Sequence, residues 1–321
     1  MHFFRCFLLL SLFFTGCKKD NETQLNYNTV ESGSGYDLRC IYMHNINELF
    51  VGGGDDTHGI LLLSTDQGAS FNNFNQPFTS RINNIVFSHP SKVFVTGNNF
   101  LLMRSDDRGV TWNKIENTTP VPYQYQTNLY DIKFINDTIG FFCGGEEFNH
   151  GVIGKTTDGG STWKYTFLDH EMRTIDFKDS QHGYCGGYGA MLYTNDGGEH
   201  WQITESNNEF ITALHLTSSN GIASGYNGGI LRNQNSFDWM NCLRSNSVFN
   251  HRSHFNSVCT IDGTNYFVFG NDGKSAISND AGANWKQTTA FDKTTIFDAI
   301  TLSTNTGIAV GANGKIFNFS K

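Results

Sequence analysis

One octet recurs along this chain and constrains its fold more than any other feature. The pattern is Ser or Thr, x, Asp, x, Gly, x, x, then Trp or Phe. It occupies residues 64–71, 105–112, 156–163, 194–201 and 278–285, with its aspartate at Asp66, Asp107, Asp158, Asp196 and Asp280. A decayed copy at 233–239 is one residue short and lacks the glycine. The octet reads as a hairpin turn. Its aspartate can accept bonds from the turn's own N–H groups, and its glycine supplies a positive φ without steric cost. The aromatic leaves the turn at the start of a strand and packs on the sheet. These five aspartates are therefore expected to be structural, not a row of catalytic acids.

Each octet ends a longer unit. In one copy Thr174–Phe177, Gly183–Gly187 and Ala190–Tyr193 make three short strands, A, B and C, and a fourth, D, follows the box from Trp201. Strand C ends at 64, 105, 156, 194, 233, 278 and about 319, a period of ~40–45 residues that suits one four-stranded propeller blade. Seven units predict an all-β, seven-bladed β-propeller spanning 24–321 as one domain. The seventh unit stops before its own strand D. The stretch 24–30 precedes the first strand A and could fill that gap, which would remove two exposed sheet edges. Composition agrees: glycine is abundant (34), proline scarce (4), and only 16% of residues are charged, against ~25% in ordinary soluble domains.

The octet resembles the Asp-box, or BNR, motif. The full unit, best in 132–163 and 174–201, resembles the repeats of photosystem II stability/assembly-factor-like propellers, and the similarity covers about 36–321. That resemblance implies a partner-binding or assembly role, without implying photosynthesis, because similar members occur as bacterial lipoproteins. The decayed fifth box and the insert at 113–130 depart from the pattern. Sialidases share the Asp-box, but their sites need an arginine triad, a Tyr–Glu nucleophile pair and a Phe/Tyr-Arg-Ile-Pro motif. Ser80-Arg81-Ile82-Asn83 is the nearest approach and lacks both the aromatic and the proline.

The first residues read as an export signal. Arg5 gives a basic start, and Phe7 to Phe14 is an apolar run too short for a ~20-residue membrane span. Phe14-Thr15-Gly16-Cys17 resembles a lipobox. The expectation is a signal peptide at 1–16, lipidation at Cys17, a polar tether at 17–23, and a bacterial cell-envelope location, periplasmic or surface-exposed, on a membrane through the lipid. Cys40, Cys143, Cys185, Cys242 and Cys259 remain and are expected as free thiols. Cys143 and Cys185, at matching positions of neighbouring blades, are expected to be too far apart to bridge.

The formal charge is −8, which argues against nonspecific nucleic-acid binding. In a four-stranded meander the Asp-box turns share one face with the A–B turns. The B–C and D–A loops share the other face, and it carries the more varied chemistry. Arg81, Arg173 and Arg252 are expected just before strand A in three blades, near the mouth of the central channel. With Tyr188 and Tyr226 they form the candidate binding set. Tyr123, Tyr125 and Phe148 mark the two largest insertions. Asp55, Asp56, Glu146 and Glu147 have calcium-type oxygens but come from non-adjacent blades. His251 and His254 are a lone pair, and no metal or cofactor is expected. The reading is a monomeric, non-catalytic binder of an envelope protein, peptide or glycan. The alternatives are a sialidase-like glycoside hydrolase and an assembly or scaffold factor for a membrane complex.

Overall fold

The computed structural model describes residues 25–74, 78–115, 121–122, 125–204, 210–234, 238–243 and 254–321. Their strands form seven four-stranded antiparallel sheets. The innermost strands, A, are β2 (Leu38–Asn45), β6 (Ile82–His89), β10 (Asn128–Phe134), β14 (Met172–Phe177), β18 (Ile211–Leu216), β22 (Phe255–Thr260) and β26 (Ile296–Thr301). Each touches the next around a ring, and β26 touches β2. The fold is a seven-bladed β-propeller.

The seventh blade is built from both chain ends. Strand β1 (Asn26–Val30) pairs antiparallel with β28 (Ile316–Ser320), from Asn26 opposite Ser320 to Val30 opposite Ile316. The expected closure is therefore observed over 26–30. Apolar burial is shared among seven clusters, one in each wedge between adjacent blades. The wedge between blades three and four holds both Cys143 and Cys185. Their thiols are free but lie within hydrogen-bonding reach of one another. The two do not bridge, as expected, although near the inner strands the blades converge enough for matching side chains to share one wedge.

The Asp-boxes are C–D turns held by one repeated hydrogen-bond set. In the first, Ser64 Oγ donates to Asp66 Oδ1 (2.8 Å) and accepts from the Gly68 N–H (2.8 Å). Ser70 donates through its N–H and hydroxyl to the two carboxylate oxygens, at 2.9 and 2.6 Å. Thr111, Thr162, His200 and Asn284 replace Ser70 in the other boxes. The box glycine has a second duty besides its positive φ. A Cβ on Gly160 (φ +79°) would lie 2.4 Å from the Phe94 ring, and one on Gly282 (φ +81°) would lie 2.3 Å from Ile222 Cδ1. Both neighbours belong to the preceding blade, so the turn also sets the spacing between blades.

Every strand A carries a β-bulge after its first apolar residue. The register shifts between Leu38 and Cys40, Ile82 and Asn84, Leu129 and Asp131, Met172 and Thr174, Ile211 and Ala213, Phe255 and Ser257, and Ile296 and Asp298. A bulge leaves one residue unpaired and re-aims its side chain. Here that residue lines the channel mouth.

Candidate functional site

The seven bulge residues, Arg39, Asn83, Tyr130, Arg173, Thr212, Asn256 and Phe297, converge on one cavity of about 470 Å³ on the face opposite the Asp-boxes. One blade contributes each. Arg81, Tyr226, His254 and Asn271 complete its lining. Of the sequence candidates, Arg81 immediately precedes β6 as expected. Arg173 does not precede its strand; it is the bulge residue of β14, because the strand begins at Met172, two residues before the Thr174 start read from the sequence. Arg252 lies outside the described residues. Tyr188 is buried behind the mouth, and its hydroxyl is bonded to that of Tyr226. Burial, then that bond, push the Tyr188 phenol well above its ordinary range.

Arg39 was not singled out from the sequence, although it lines the same cavity. Its guanidinium lies over the Phe297 ring at 3.7 Å and bonds Asp37 at 3.0 Å. Burial, then repulsion from Arg81 and Arg173, lower its pKa to about 10, so it stays charged at neutral pH while facing like charges. Arg173 lies over Tyr130 at 3.9 Å and reaches the Tyr188 hydroxyl at 3.3 Å. It also pairs with the buried Glu171 carboxylate at 2.5 Å, as an ion pair without an aligned hydrogen bond. Arg81 is the least engaged of the three. Its nearest carboxylate, Asp56, is 3.9 Å away and instead accepts from Asn98 at 2.8 Å. The Nε atoms of all three arginines are buried without a partner.

Aromatic rings continue the mouth across blades three to six. Tyr188 meets Phe148 at 4.7 Å, Phe210 at 5.2 Å and Tyr226 at 5.4 Å, and Tyr226 meets His254 at 4.0 Å. The face is therefore divided. Blades one and two present Arg39, Arg81 and aspartates, and blades three to six present rings with Arg173 set among them.

Below the mouth the channel narrows to a polar throat of about 210 Å³, built on carboxylates that the sequence reading passed over. Asp298 accepts from Ser257 Oγ (2.9 Å) in blade six and the Ile41 N–H (2.9 Å) in blade one. Asp131 accepts from Asn84 (2.5 Å) in blade two and the Ile175 N–H (2.8 Å) in blade four. Asp176 accepts from the Leu216 N–H (2.7 Å) in blade five and pairs with Lys133 (2.8 Å) in blade three. Each carboxylate staples its blade to both neighbours. Burial raises the pKa of Asp131, and pushes that of Asp298 up to about 6. No group of three or more metal-ligating side chains occurs among the described residues.

No family model and no curated protein matches the sequence. Solved structures do match along nearly the whole chain. YCF48 bound to D1 peptide is 15% identical with a TM-score of 0.70, covering 92% of this chain and 97% of that one. YCF48 from Cyanidioschyzon merolae is 14% identical with a TM-score of 0.68, covering 92% and 98%. Virginiamycin B lyase from Staphylococcus aureus is 12% identical with a TM-score of 0.69, covering 93% and 100%. At such identities the likeness is one of fold, and the fold serves both a peptide-bound protein and a lyase.

Proposed function

We propose that this propeller is a non-catalytic docking module of the cell envelope that binds a polypeptide segment of a partner across its loop-face mouth. The observation that carries this reading is the convergence of Arg39, Arg81 and Arg173 on one cavity. Three facing guanidiniums repel one another, and an incoming carboxylate relieves that repulsion through directed bonds. The aromatic half supplies apolar contact at low conformational cost. The D1 peptide bound to the similarly folded YCF48 supports a peptide as the ligand class. The anchor belongs to the same proposal: Cys17, outside the described residues, carries the lipid.

The test is to capture partners from envelope extracts and map the footprint on the purified protein by hydrogen exchange. Protection of the loop face, and weakening by Arg39→Ala and Arg81→Ala of at least tenfold, is the expected result. A footprint confined to the Asp-box face would overturn it.

One observation favours a sialidase-type glycosidase instead: Tyr130 lies within hydrogen-bonding reach of Glu171, beside the three arginines. Two features oppose it. The Arg173 guanidinium covers the Tyr130 ring, and burial raises the phenol's pKa, whereas a nucleophile needs the reverse. Hydrolysis of a fluorogenic sialoside, abolished by Glu171→Gln, would establish the enzyme reading.

A further inference from the structure

The mouth holds a side chain that packing does not explain. Phe148 is 64% exposed, although it is a large apolar residue. Its backbone adopts φ +66°, and the preceding Glu147 adopts φ +56°. Left-handed backbone is unfavourable for a bulky side chain, and this turn position would accept glycine or asparagine at lower cost. The conformation is enforced from outside the turn. The Phe148 N–H donates to the Glu171 carboxylate at 3.1 Å, and the Glu171 N–H donates to the Phe148 carbonyl at 3.1 Å. Glu171 is itself buried, 3% exposed, and pairs with Arg173. One buried carboxylate thus holds a strained, exposed ring on one side and a mouth arginine on the other. Strain kept in this way tends to mark a site of use.

The surroundings say what the ring is for. Phe148 stands edge-on to Tyr188 at 4.7 Å and 85°, and Phe210, also exposed, flanks the same tyrosine at 5.2 Å. Phe210 is held in turn, because its carbonyl accepts from the Tyr226 N–H at 3.0 Å. Two exposed rings therefore flank one buried ring, with their backbones fixed by different blades. We infer that Phe148 and Phe210 form a preformed slot over Tyr188 that takes one apolar side chain, aromatic or branched aliphatic, of an extended polypeptide. An acidic residue of the same segment enters the arginine cluster beside it. The inference rests on the docking reading above and adds the apolar determinant to it. Charge complementarity selects the occupant. Arg173 touches Tyr188 on the slot's inner side, so a segment seated on the rings brings its neighbouring residues to the guanidiniums. A purely apolar partner would leave Arg81, 3.9 Å from Asp56, without a close carboxylate.

The probe is a set of fluorescein-labelled dodecapeptides selected from a random library on the purified full-length protein. The selected sequences should pair Phe, Trp, Leu or Ile with a nearby Asp or Glu. Phe148→Gly should weaken binding about tenfold or more while leaving the thermal midpoint unchanged or raised, because glycine accepts the positive φ. Phe210→Ala should weaken it comparably. Replacing the peptide's apolar residue by alanine should cost little further affinity in the Phe148→Gly protein, the coupling expected of groups in contact. If peptides bind in a way that depends on Arg81 but Phe148→Gly and Phe210→Ala leave affinity within twofold, the slot is overturned and the docking reading stands. If no peptide is selected, or binding ignores Arg81 and both phenylalanines alike, both readings fall.

Discussion

At the scale of single residues, the aspartates of this protein divide by what surrounds them. In the boxes, donors from Ser70, Ser105 and Asn284 hold Asp66, Asp107 and Asp280 at a pKa of about 2. A carboxyl lowered on folding stabilises the fold above its ordinary range, near 4, and loses that contribution as pH falls through 2. Acid unfolding of the wild type should accordingly be completed only below about pH 3, as followed by circular dichroism. Asp158→Ala should cost about 1–2 kcal/mol at neutral pH, discounted for its exposed turn, and leave partner binding intact. Asp298 behaves in the opposite way. Its pKa is raised by burial to about 6, so its ionisation costs stability as pH rises from about 4 through 6. The wild type should therefore gain thermal stability relative to Asp298→Asn as pH falls across that window. A gap between the two proteins that stays constant with pH would remove the assignment. The sequence showed the first group because its octet is contiguous. It hid the second because Asp298 and its partners, Ile41 and Ser257, are brought together only by the ring.

At the scale of elements, the box glycine joins turn chemistry to blade spacing. Gly160→Ala meets both a positive φ and the Phe94 ring, and should destabilise by about 2–4 kcal/mol. Gly189→Ala, also at positive φ (+69°) but with open space around its Cβ, should cost only about 1 kcal/mol. Chemical denaturation of the two variants measures the difference. The strands themselves were legible from their alternation and from the box that ends each third strand. The bulge was not. It shifts the period by one just after the first apolar residue of every strand A, so Arg39 and Tyr130 read as ordinary polar-face positions. The signal was present only as a column: Leu38-Arg39, Ile82-Asn83, Leu129-Tyr130, Met172-Arg173 and their equivalents align once all seven strands are superposed on their first apolar residue. The Phe148 turn was visible as an insertion, but its left-handed backbone and its grip by Glu171 depend on a blade further along the chain.

At the scale of the whole molecule, β1 closes the ring by pairing residues nearly a chain length apart. Removing residues 25–30 leaves β28 as an open edge and should lower the thermal midpoint markedly. A synthetic peptide of that sequence should restore part of the loss. The same strand fixes an orientation. Asn26 lies opposite Ser320, at the end of the seventh strand C, and Val30 lies opposite Ile316, so the polypeptide enters the propeller on its Asp-box side and crosses toward the mouth. With Cys17 acylated, the bilayer would lie beneath the Asp-boxes and the mouth would open away from it, toward whatever passes above the membrane. Cys17→Ser should release the protein into the soluble phase of a detergent partition. In vesicles carrying the acylated protein, an antibody fragment against the Phe148 turn should bind at full occupancy, and one against the 158–162 turn should be hindered. The short lipid leash would then act as an aiming device, presenting one side of a disc that solvent alone would leave free to tumble.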